Sequence, residues 1–234
     1  MAEWCIGFRD SETGCVPIQS SLYSRHSQNH VKSVSMKICT IMTRLGYGEE
    51  IRRRRIEKYR EFDSVQNDEG NDVTRITVGS KAEGLTCVLE SDRDVLHVLK
   101  RVLCVEAGIN LQTIPDDINV FRMATCVYPG HCILLFERPA QITFDLIAHA
   151  LCVNGYGNVL LNSGLFMDGC ATLTSKFEKY FVTSVQHERA GPSIPHTING
   201  FLHMDIVFAL RCHCPSIIHR WAARPSHWPS PDIV

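Results

Sequence analysis

The sequence has no apolar run of about 18 residues, the length of a transmembrane helix, so no membrane-spanning segment and no membrane partner are expected. Residues 1–10 lack the basic start and the apolar centre of a secretory signal peptide. Internal repeats and low-complexity tracts are also absent. The formal net charge is only −1, so the net charge of the molecule does not favour binding to polyanions. Any nucleic-acid contact therefore requires a local basic patch.

The remaining composition is that of a globular protein, with 44% hydrophobic and 21% charged residues. A length of 234 residues is enough for one large domain or two small ones. Cysteine is abundant, with eleven residues scattered singly along the chain. Without a secretory signal this pattern indicates reduced thiols and a cytoplasmic or nuclear location.

Long helices are predicted near the start of the chain. Apolar residues recur at spacings of three and four from Val31 to Leu45, as on one stripe of an amphipathic helix. Gly46 and Gly48 are expected to interrupt this helix before it resumes and continues to Phe62. We therefore predict a spine helix over residues 29–62, preceded by a loosely ordered segment at residues 1–28.

Strands are predicted to follow the spine. They cover residues 73–78, 119–127, 131–137 and 203–211. Residues 92–98 form a further strand if they carry a metal site, although the apolar residues between Val95 and Leu103 also fit one face of a helix. The remaining segments are predicted to be helix at residues 142–153, helix at about residues 175–187, and loop at residues 190–200.

The first candidate site combines Asp92 and Asp94 with Gly79 and Ser80. Side chains alternate along a strand, so the two aspartates would share one face, about 7 Å apart. Adjacent carboxylates repel each other, and a hard divalent cation such as Mg²⁺ would remove that cost. Gly79 and Ser80 end a predicted strand and offer backbone N–H groups and a hydroxyl to a phosphate. The pattern predicts a site for a metal-bound nucleoside triphosphate.

Asp205 is the candidate for a third carboxylate. A two-metal site usually needs one from a neighbouring strand, and Asp205 lies in the otherwise apolar run at residues 203–210. An unpaired carboxylate in such a run is costly to bury, which favours a ligand role. The alternative is an aspartate at a strand end that faces water, because the residue lies near the start of the run.

The clearest basic patch consists of four consecutive arginines, Arg52, Arg53, Arg54 and Arg55, extended by Lys58 and Arg60. One interpretation is a surface for nucleic-acid phosphates. The other is an ordinary solvated helix face, in which the positive charges pair with nearby glutamates: Glu49, Glu50, Glu57 and Glu61.

A zinc site is one interpretation of the segment Cys212, His213 and Cys214, with His219 and His227 downstream as further ligands. Ligands separated by one residue do not match the usual paired spacing of zinc sites, so buried thiols and surface histidines are the preferred interpretation. Four other cysteines in apolar contexts are assigned to the core: Cys39, Cys87, Cys104 and Cys152.

Several of these segments together resemble one family. Residues 79–85 (GSKAEGL) and 90–96 (ESDRDVL) resemble the nucleotidyltransferase core of the male-abnormal family, which includes the cyclic GMP-AMP synthases and the cGAS-like receptors. Further segments are similar to the molluscan branch of that family: residues 45–48 (LGYG) with the arginine run, 154–157 (NGYG), 209–217 (ALRCHCPSI) and 221–229 (WAARPSHWP). The resemblance covers roughly residues 25–234 and keeps the motifs in order.

The resemblance implies an α+β fold: a nucleotidyltransferase core over residues 73–211, with a mixed twisted sheet and a long N-terminal spine helix. It implies that ATP and GTP bind with Mg²⁺ or Mn²⁺ and are joined into a cyclic dinucleotide after double-stranded RNA or DNA is sensed, in innate immunity. By motif, Gly79 and Ser80 would hold the triphosphate, and Asp92, Asp94 and Asp205 would bind metal and act in catalysis. Residues 52–55 and Lys58 would contact the duplex.

Two departures from the family pattern leave a rival interpretation. Arg93 stands between the aspartates, where nucleotidyltransferases usually carry an apolar residue. The sequence stops at Val234, so residues 212–234 would be only the start of a truncated C-terminal helical lobe. The rival is a catalytically silent protein of the same fold that serves in binding or scaffolding. A thiol- or zinc-based regulatory protein is a further alternative, based only on the cysteine count.

Overall fold

The computed structural model of this chain describes residues 28–67, 72–125, 131–141, 145–177, 184–189 and 191–223. The chain divides into two compact units, Met1–Gly48 and Glu49–Val234. The loosely ordered segment predicted at residues 1–28 lies outside the described residues, apart from Gln28. No helix in the described ranges is both long and apolar enough to cross a membrane.

The first unit is helical where it is described. Helix α1 covers Gln28–Met42, and a π-helical turn follows at Thr43–Tyr47. Gly46, with φ of +88°, breaks the helical backbone within that turn, and Gly48 is extended. The interruption predicted at these two glycines is therefore present, and the spine predicted over residues 29–62 consists of two helices rather than one.

The second unit begins with the long helix α2 at Glu49–Asn67. The other helices are α3 (Gly79–Ala82), α4 (Asp145–His149), α5 (Ser163–Phe177) and α6 (Pro215–Ala222). The strands are β1 (Val73–Val78), β2 (Arg93–Val105), β3 (Asn119–Ala124), β4 (Ile133–Arg138), β5 (Leu151–Val153), β6 (Val159–Leu161), β7 (Ser184–Gln186), β8 (Ser193–Ile198) and β9 (Leu202–His213).

One mixed sheet joins the nine strands of the described chain, in the order β5-β6-β4-β3-β2-β9-β8-β7, with β1 also paired to β2. The long central strand β2 runs parallel to both β3 and β9 and antiparallel to β1. The other neighbouring strands pair in the antiparallel sense. The predicted α+β class, with a mixed sheet and a long N-terminal helix, is confirmed, and the helical alternative for residues 95–103 is wrong.

The main core brings the central strands together with α4 and α5. Leu99 of β2, Phe121 of β3, Ile147 of α4 and Cys170 of α5 are all at most 2% exposed and belong to one apolar cluster. Ile206 of β9 joins the same cluster at 5% exposure. Packing against α4 and α5 therefore fixes the position of β2 and β9 within the sheet. The positions of the residues on these two strands are fixed with them.

Two predicted helices are wrong in position. Residues 142–153 were expected to be one helix, but α4 ends at His149 and β5 follows. The side-chain oxygen of Asn154 accepts hydrogen bonds from the N–H groups of Tyr156 and Asn158, which closes the turn that pairs β5 with β6. The helix predicted at about residues 175–187 overlaps only the end of α5, and strand β7 occupies residues 184–186, while residues 178–183 lie outside the described residues.

The loop predicted at residues 190–200 contains a strand instead. Strand β8 pairs with β7 on one side and with β9 on the other. Pro195 lies opposite Asp205 in this register. Proline has no N–H group to donate to a strand ladder, so it argued against an inner strand at this position.

Candidate active site

The candidate site begins at Gly79, directly after β1 ends at Val78. This glycine has φ of +66°, and a Cβ atom built on it would lie 2.3 Å from Oδ2 of Asp94. Any other residue here would be strained by the left-handed backbone and would also require the Asp94 carboxylate to move. The backbone conformation and the close approach of Asp94 together favour glycine at this position.

Asp94 and Asp205 are neighbours across two parallel strands. They are register partners in the pairing of β2 with β9, although more than a hundred residues separate them in the sequence. Asp92 lies just before β2 and is exposed. The structure thus brings Asp94 and Asp205 side by side and leaves Asp92 at the entrance of the strand.

The electrostatics of these carboxylates are unfavourable without a cation. The pKa of Asp94 is raised, first by burial and then by the negative charges of Asp205 and Asp92. Lys81 is the nearby positive charge that partly opposes this rise. Like charges that raise the pKa of a carboxyl group indicate a place where a proton or a cation would be stabilised.

The donor set has the chemistry that a hard divalent cation requires. Carboxylate oxygens are the preferred ligands of Mg²⁺, and the mutual repulsion at Asp94 would be relieved by such an ion. Within the part of the chain that the structure describes, however, no three Asp, Glu, His or Cys side chains are grouped closely enough to hold a metal ion. The residues fit the cation by charge and atom type, while their grouping is looser than that of a formed metal centre.

A cluster of three hydroxyl groups lies beside the carboxylates. The Ser80 hydroxyl is 3.0 Å from that of Thr86 and 3.2 Å from that of Ser91, and Thr86 and Ser91 are 2.9 Å apart. These contacts tie the turn after β1 to the residues that immediately precede Asp92. Ser80 was predicted as a phosphate contact, and its hydroxyl is here held in position by two others.

Lys81 is a site residue that sequence reasoning missed. Its side chain is 2% exposed, and its ammonium group donates to the carbonyl oxygens of Cys87, at 2.7 Å, and Val88, at 3.3 Å. Burial lowers the pKa of Lys81, while Asp92 is among the charges that oppose this change. The available signal was its place directly after Gly79 and Ser80, where a positive charge would meet the same anionic ligand.

Arg93, the departure from the family pattern, is accommodated by helix α2. Its guanidinium group donates to Asp63 at 3.0 Å and to the hydroxyl of Thr77 at 2.7 Å, and it lies 4.4 Å from the centre of the Phe62 ring. The side chains of Arg93 and Asp63 are only 17% and 15% exposed. The charged residue between the two aspartates therefore connects β2 to the helix.

Helix α2 is docked on β1 through its polar side chains. Asp63 accepts hydrogen bonds from the backbone N–H of Thr77 at 2.7 Å and from its hydroxyl at 2.6 Å. The Asn67 amide donates to the carbonyl of Arg75 and accepts from its N–H, both at 2.8 Å. These contacts pair backbone groups of β1 with helix side chains. The C-terminal half of α2 is thereby fixed against β1.

The arginine run divides into two pairs. Arg52 donates to the carbonyl of Glu83 at 3.4 Å, and Arg55 donates to the carbonyls of Gly84 and Leu85 at 3.3 and 3.4 Å. Helix and loop are also in close contact, since a Cβ atom on Gly84 would lie 2.3 Å from the Arg52 carbonyl oxygen. Arg52 and Arg55 therefore hold the loop after α3 against α2.

The other pair faces outward. Arg53 and Arg54 are 68% and 73% exposed in their side chains, and Lys58 is exposed as well. Arg54 pairs with Glu50 at 2.5 Å, and Arg53 lies 3.9 Å from Glu57. These contacts match the interpretation as a solvated face with glutamate partners, and they leave the side chains accessible to a larger anion.

The cysteines predicted to be core divide by exposure. Cys104 is buried, Cys87 and Cys152 are half-buried, and Cys39 is exposed on α1. Cys212, which was expected to be a buried thiol, is exposed at the end of β9. That strand extends to His213 and carries this cysteine out of the apolar core.

Comparison of the sequence with protein families and curated proteins identifies no family for this chain. A scan against models of protein families finds no match, and a search of curated proteins finds none either. The function proposed below therefore depends on the motifs of the chain and on the geometry of its own residues.

Proposed function

We propose that the chain is a metal-dependent nucleotidyltransferase of the cGAS-like receptor family, which joins ATP and GTP into a cyclic dinucleotide for innate immune signalling. The observation that supports this most directly is the register pairing of Asp94 with Asp205 beside Gly79. Nucleotidyl transfer depends mainly on the positioning of two nucleotides and the neutralisation of their charge. A pair of carboxylates next to a glycine turn on two rigid strands is suited to that task.

The residues of the site have separable roles in this proposal. Asp92, Asp94 and Asp205 would hold Mg²⁺ or Mn²⁺, which when bound neutralises the triphosphate and activates the attacking hydroxyl group. Gly79 lets the phosphates approach the backbone, and the Ser80 hydroxyl donates a hydrogen bond to them. Lys81 supplies a fixed positive charge behind the turn.

Double-stranded RNA or DNA is the proposed activator, bound through the outward pair of the arginine run. Arg53, Arg54 and Lys58 are exposed on one helix, and phosphate contacts of this kind position a duplex without reading its sequence. Arg52 and Arg55 join the same helix to the loop that carries Thr86 and Ser91. A duplex bound to α2 would therefore act next to the hydroxyl cluster.

Turnover is tested with labelled ATP and GTP, Mg²⁺ or Mn²⁺, and double-stranded RNA or DNA. A phosphatase-resistant product is expected, and Asp94→Asn and Asp205→Asn should each reduce its rate by more than about 100-fold, because each removes a charged ligand rather than an outer-shell contact. Asp117→Asn is the matched control, since Asp117 is exposed and precedes β3. Absence of product with every duplex, together with no metal-dependent nucleotide binding, contradicts the proposal.

The duplex surface has its own test. Arg53→Ala/Arg54→Ala should weaken binding to duplexes of different sequence by the same factor and flatten the dependence on salt concentration. Arg189→Ala is the control, because Arg189 also forms an exposed ion pair, with Asp168 at 3.1 Å. If the double variant binds as tightly as the original chain, the arginines are an ordinary solvated face.

A catalytically silent protein of the same fold is the second candidate. The observation that favours it is that the polar groups near the carboxylates already bond to one another. The Ser80 hydroxyl contacts Thr86 and Ser91, and the Lys81 ammonium group contacts two backbone carbonyls. Nucleotide binding without turnover would support this candidate over the enzyme.

A further inference from the structure

Four cysteines gather at the end of the sheet that lies opposite the carboxylates. Cys104 is near the C-terminal end of β2, and Cys212 is near the C-terminal end of its parallel partner β9. Cys214 follows β9 directly. Cys132 precedes β4, which runs antiparallel to β3 and therefore starts at this same end. Topology alone thus places four thiols in one neighbourhood.

Two of these thiols are direct neighbours. Cys104 and Cys212 are register partners in the pairing of β2 with β9. Adjacent strands lie about 4.7–4.9 Å apart, which is inside the Cα–Cα range of about 4.4–6.8 Å that a disulfide spans. Register partners also direct their side chains to the same side of a sheet. The two strands therefore place this pair within the Cα–Cα range that a disulfide spans.

The two thiols differ in access to solvent. Cys104 is 1% exposed and belongs to the main apolar core. Cys212 is exposed and lines a surface cleft between the end of β9 and helix α6, together with Cys214 and Ile218. A small reagent can therefore reach Cys212, whereas Cys104 can be reached only through its partner.

The two neighbouring thiols have different pKa values. The interaction with Cys104 lowers the pKa of Cys212 to about 7, even though partial burial opposes the change. The same interaction raises the pKa of Cys104, and burial raises it further. Cys212 therefore carries a large share of thiolate at neutral pH, the form in which a cysteine reacts. Cys104 remains a thiol that can donate to it.

The other two cysteines are less suited to this role. Burial first, and then the charge of Cys212, raise the pKa of both Cys132 and Cys214. The neighbourhood is thus organised around one reactive pair.

We propose that Cys104 and Cys212 form a modification site for peroxides, in which an exposed nucleophile and a buried resolving thiol become a disulfide between β2 and β9. The Cys212 thiolate attacks one oxygen of hydrogen peroxide, the O–O bond breaks, and the leaving hydroxide takes a proton to become water. The sulfenic acid formed on Cys212 is then attacked by the sulfur of Cys104. The S–S bond forms as a second water leaves, carrying the Cys104 proton, so two thiols are oxidised and one peroxide is reduced.

The test oxidises the purified full chain with a slight excess of hydrogen peroxide, alkylates the remaining thiols and maps disulfides by mass spectrometry. Trypsin cleaves after Arg211 and Arg220, so Cys212 and Cys214 share one peptide, and Cys214→Ser removes that ambiguity. The expected product is a single Cys104–Cys212 cross-link that dithiothreitol reverses. Without oxidant at pH 7, Cys212 should react with iodoacetamide about tenfold faster than a cysteine reference peptide of ordinary pKa.

Matched variants separate the two roles. Cys104→Ser should slow the alkylation of Cys212, because the Cys104 thiol lowers the pKa of Cys212, and should accumulate a Cys212 sulfenic acid that dimedone traps. Cys39→Ser removes an exposed cysteine of α1 and should leave the cross-link intact. A cross-link from Cys212 to Cys132 or Cys214 instead of Cys104, or alkylation of Cys212 no faster than the reference peptide, overturns the proposal. The alkylation rate uses the unsubstituted chain and the cross-link map needs only Cys214→Ser, so neither measurement depends on the folding of a variant at Cys104 or Cys212.

Discussion

The two ends of the β2–β9 pair place like groups side by side with opposite chemical results. At one end Asp94 opposes Asp205, and at the other Cys104 opposes Cys212. Two carboxylates can only repel each other until a proton or a cation arrives. Two thiols can share a proton and can also join covalently. The same pair of parallel strands, whose register shifts between Leu99 and Leu103, therefore creates an anionic site at one end and a reactive thiol pair at the other.

The two ends also differ in how they are held. The carboxylate end is connected to α2 through the partly buried ion pair of Arg93 with Asp63. The thiol end is connected to α6 through Glu106, whose carboxylate accepts hydrogen bonds from the N–H and hydroxyl of Ser216. The first attachment is shielded from most solvent and involves a strand residue between two site aspartates, whereas the second lies at the surface. We expect damage to the first to be the more costly.

The largest effect is expected from Asp63→Asn, which leaves the Arg93 guanidinium without its charged partner. Breaking a fully buried ion pair costs about 3–5 kcal/mol of the free energy of unfolding, and this partly buried pair should cost about 3 kcal/mol, the low end of that range. Asp72→Asn is the matched control, because Asp72 pairs with Arg101 at 2.8 Å with side chains 41% and 37% exposed. An exposed pair of this kind contributes about 0–1 kcal/mol. Equal losses in urea unfolding would show that the carboxylate end is not braced by α2.

Part of this arrangement could be predicted from the sequence because its signals are local. Strand β1 has the predicted bounds, at Val73–Val78. The strand predicted to begin at Asp92 begins at Arg93, so Asp94 lies on it and Asp92 just precedes it. Asp205 was selected because an unpaired carboxylate in an apolar run is costly to bury. Its position opposite Asp94 follows from the parallel pairing of β9 with β2.

The rest could not be predicted because it depends on which distant segments pair. Asp63 and Arg93 are thirty residues apart, and no local pattern in either segment indicates that the two residues pair. Cys104 and Cys212 meet only through the strand register. Strand β8 was missed because Pro195 is unusual in an inner strand, yet its neighbours on both sides keep it there.

Gly79→Ala tests the contact of the carboxylate end with the turn after β1. The added Cβ atom would lie 2.3 Å from Oδ2 of Asp94, and φ is +66°. We expect a loss of about 2 kcal/mol, from backbone strain together with this collision. Gly157→Ala is the control, since its φ is +80° and nothing lies within 4 Å of the added atom. The melting temperatures should differ by several degrees, and an equal loss at both positions would rule out the close contact with Asp94.

At the thiol end, the same cysteine-to-serine substitution at Cys104 and at Cys212 compares a buried position with an exposed one. Cys104→Ser places a hydroxyl group in the apolar core, where Cys104 is 1% exposed, and should cost about 1 kcal/mol of the free energy of unfolding. Cys212→Ser alters an exposed position and should change stability by less than about 0.5 kcal/mol. Urea unfolding under reducing conditions measures both. Equal costs would mean that the pair is not divided into a buried and an accessible thiol.

The smallest effect has the opposite sign and belongs to the carboxylate end. Because the folded protein raises the pKa of Asp94, it binds that proton more tightly than the unfolded chain does. This contribution to stability is therefore present below the unfolded pKa of about 3.9 and is lost as the pH rises through the folded value. At pH 7 the charged pair remains as a cost, so Asp94→Asn should raise the free energy of unfolding by about 0.5 kcal/mol.

The gain from Asp94→Asn should vanish in acid, where the original carboxyl group is already protonated, and Asp117→Asn should show no such pH dependence. Added Mg²⁺ should stabilise the original chain more than the Asp94→Asn variant, because the cation relieves the same repulsion. The repulsion between the carboxylates weakens the fold and also attracts a cation. A variant that is more stable at pH 7 but inactive would therefore show that stability and cation binding make opposite demands on this pair. Lower stability at pH 7 would instead show that the Asp94 carboxylate is held by favourable contacts.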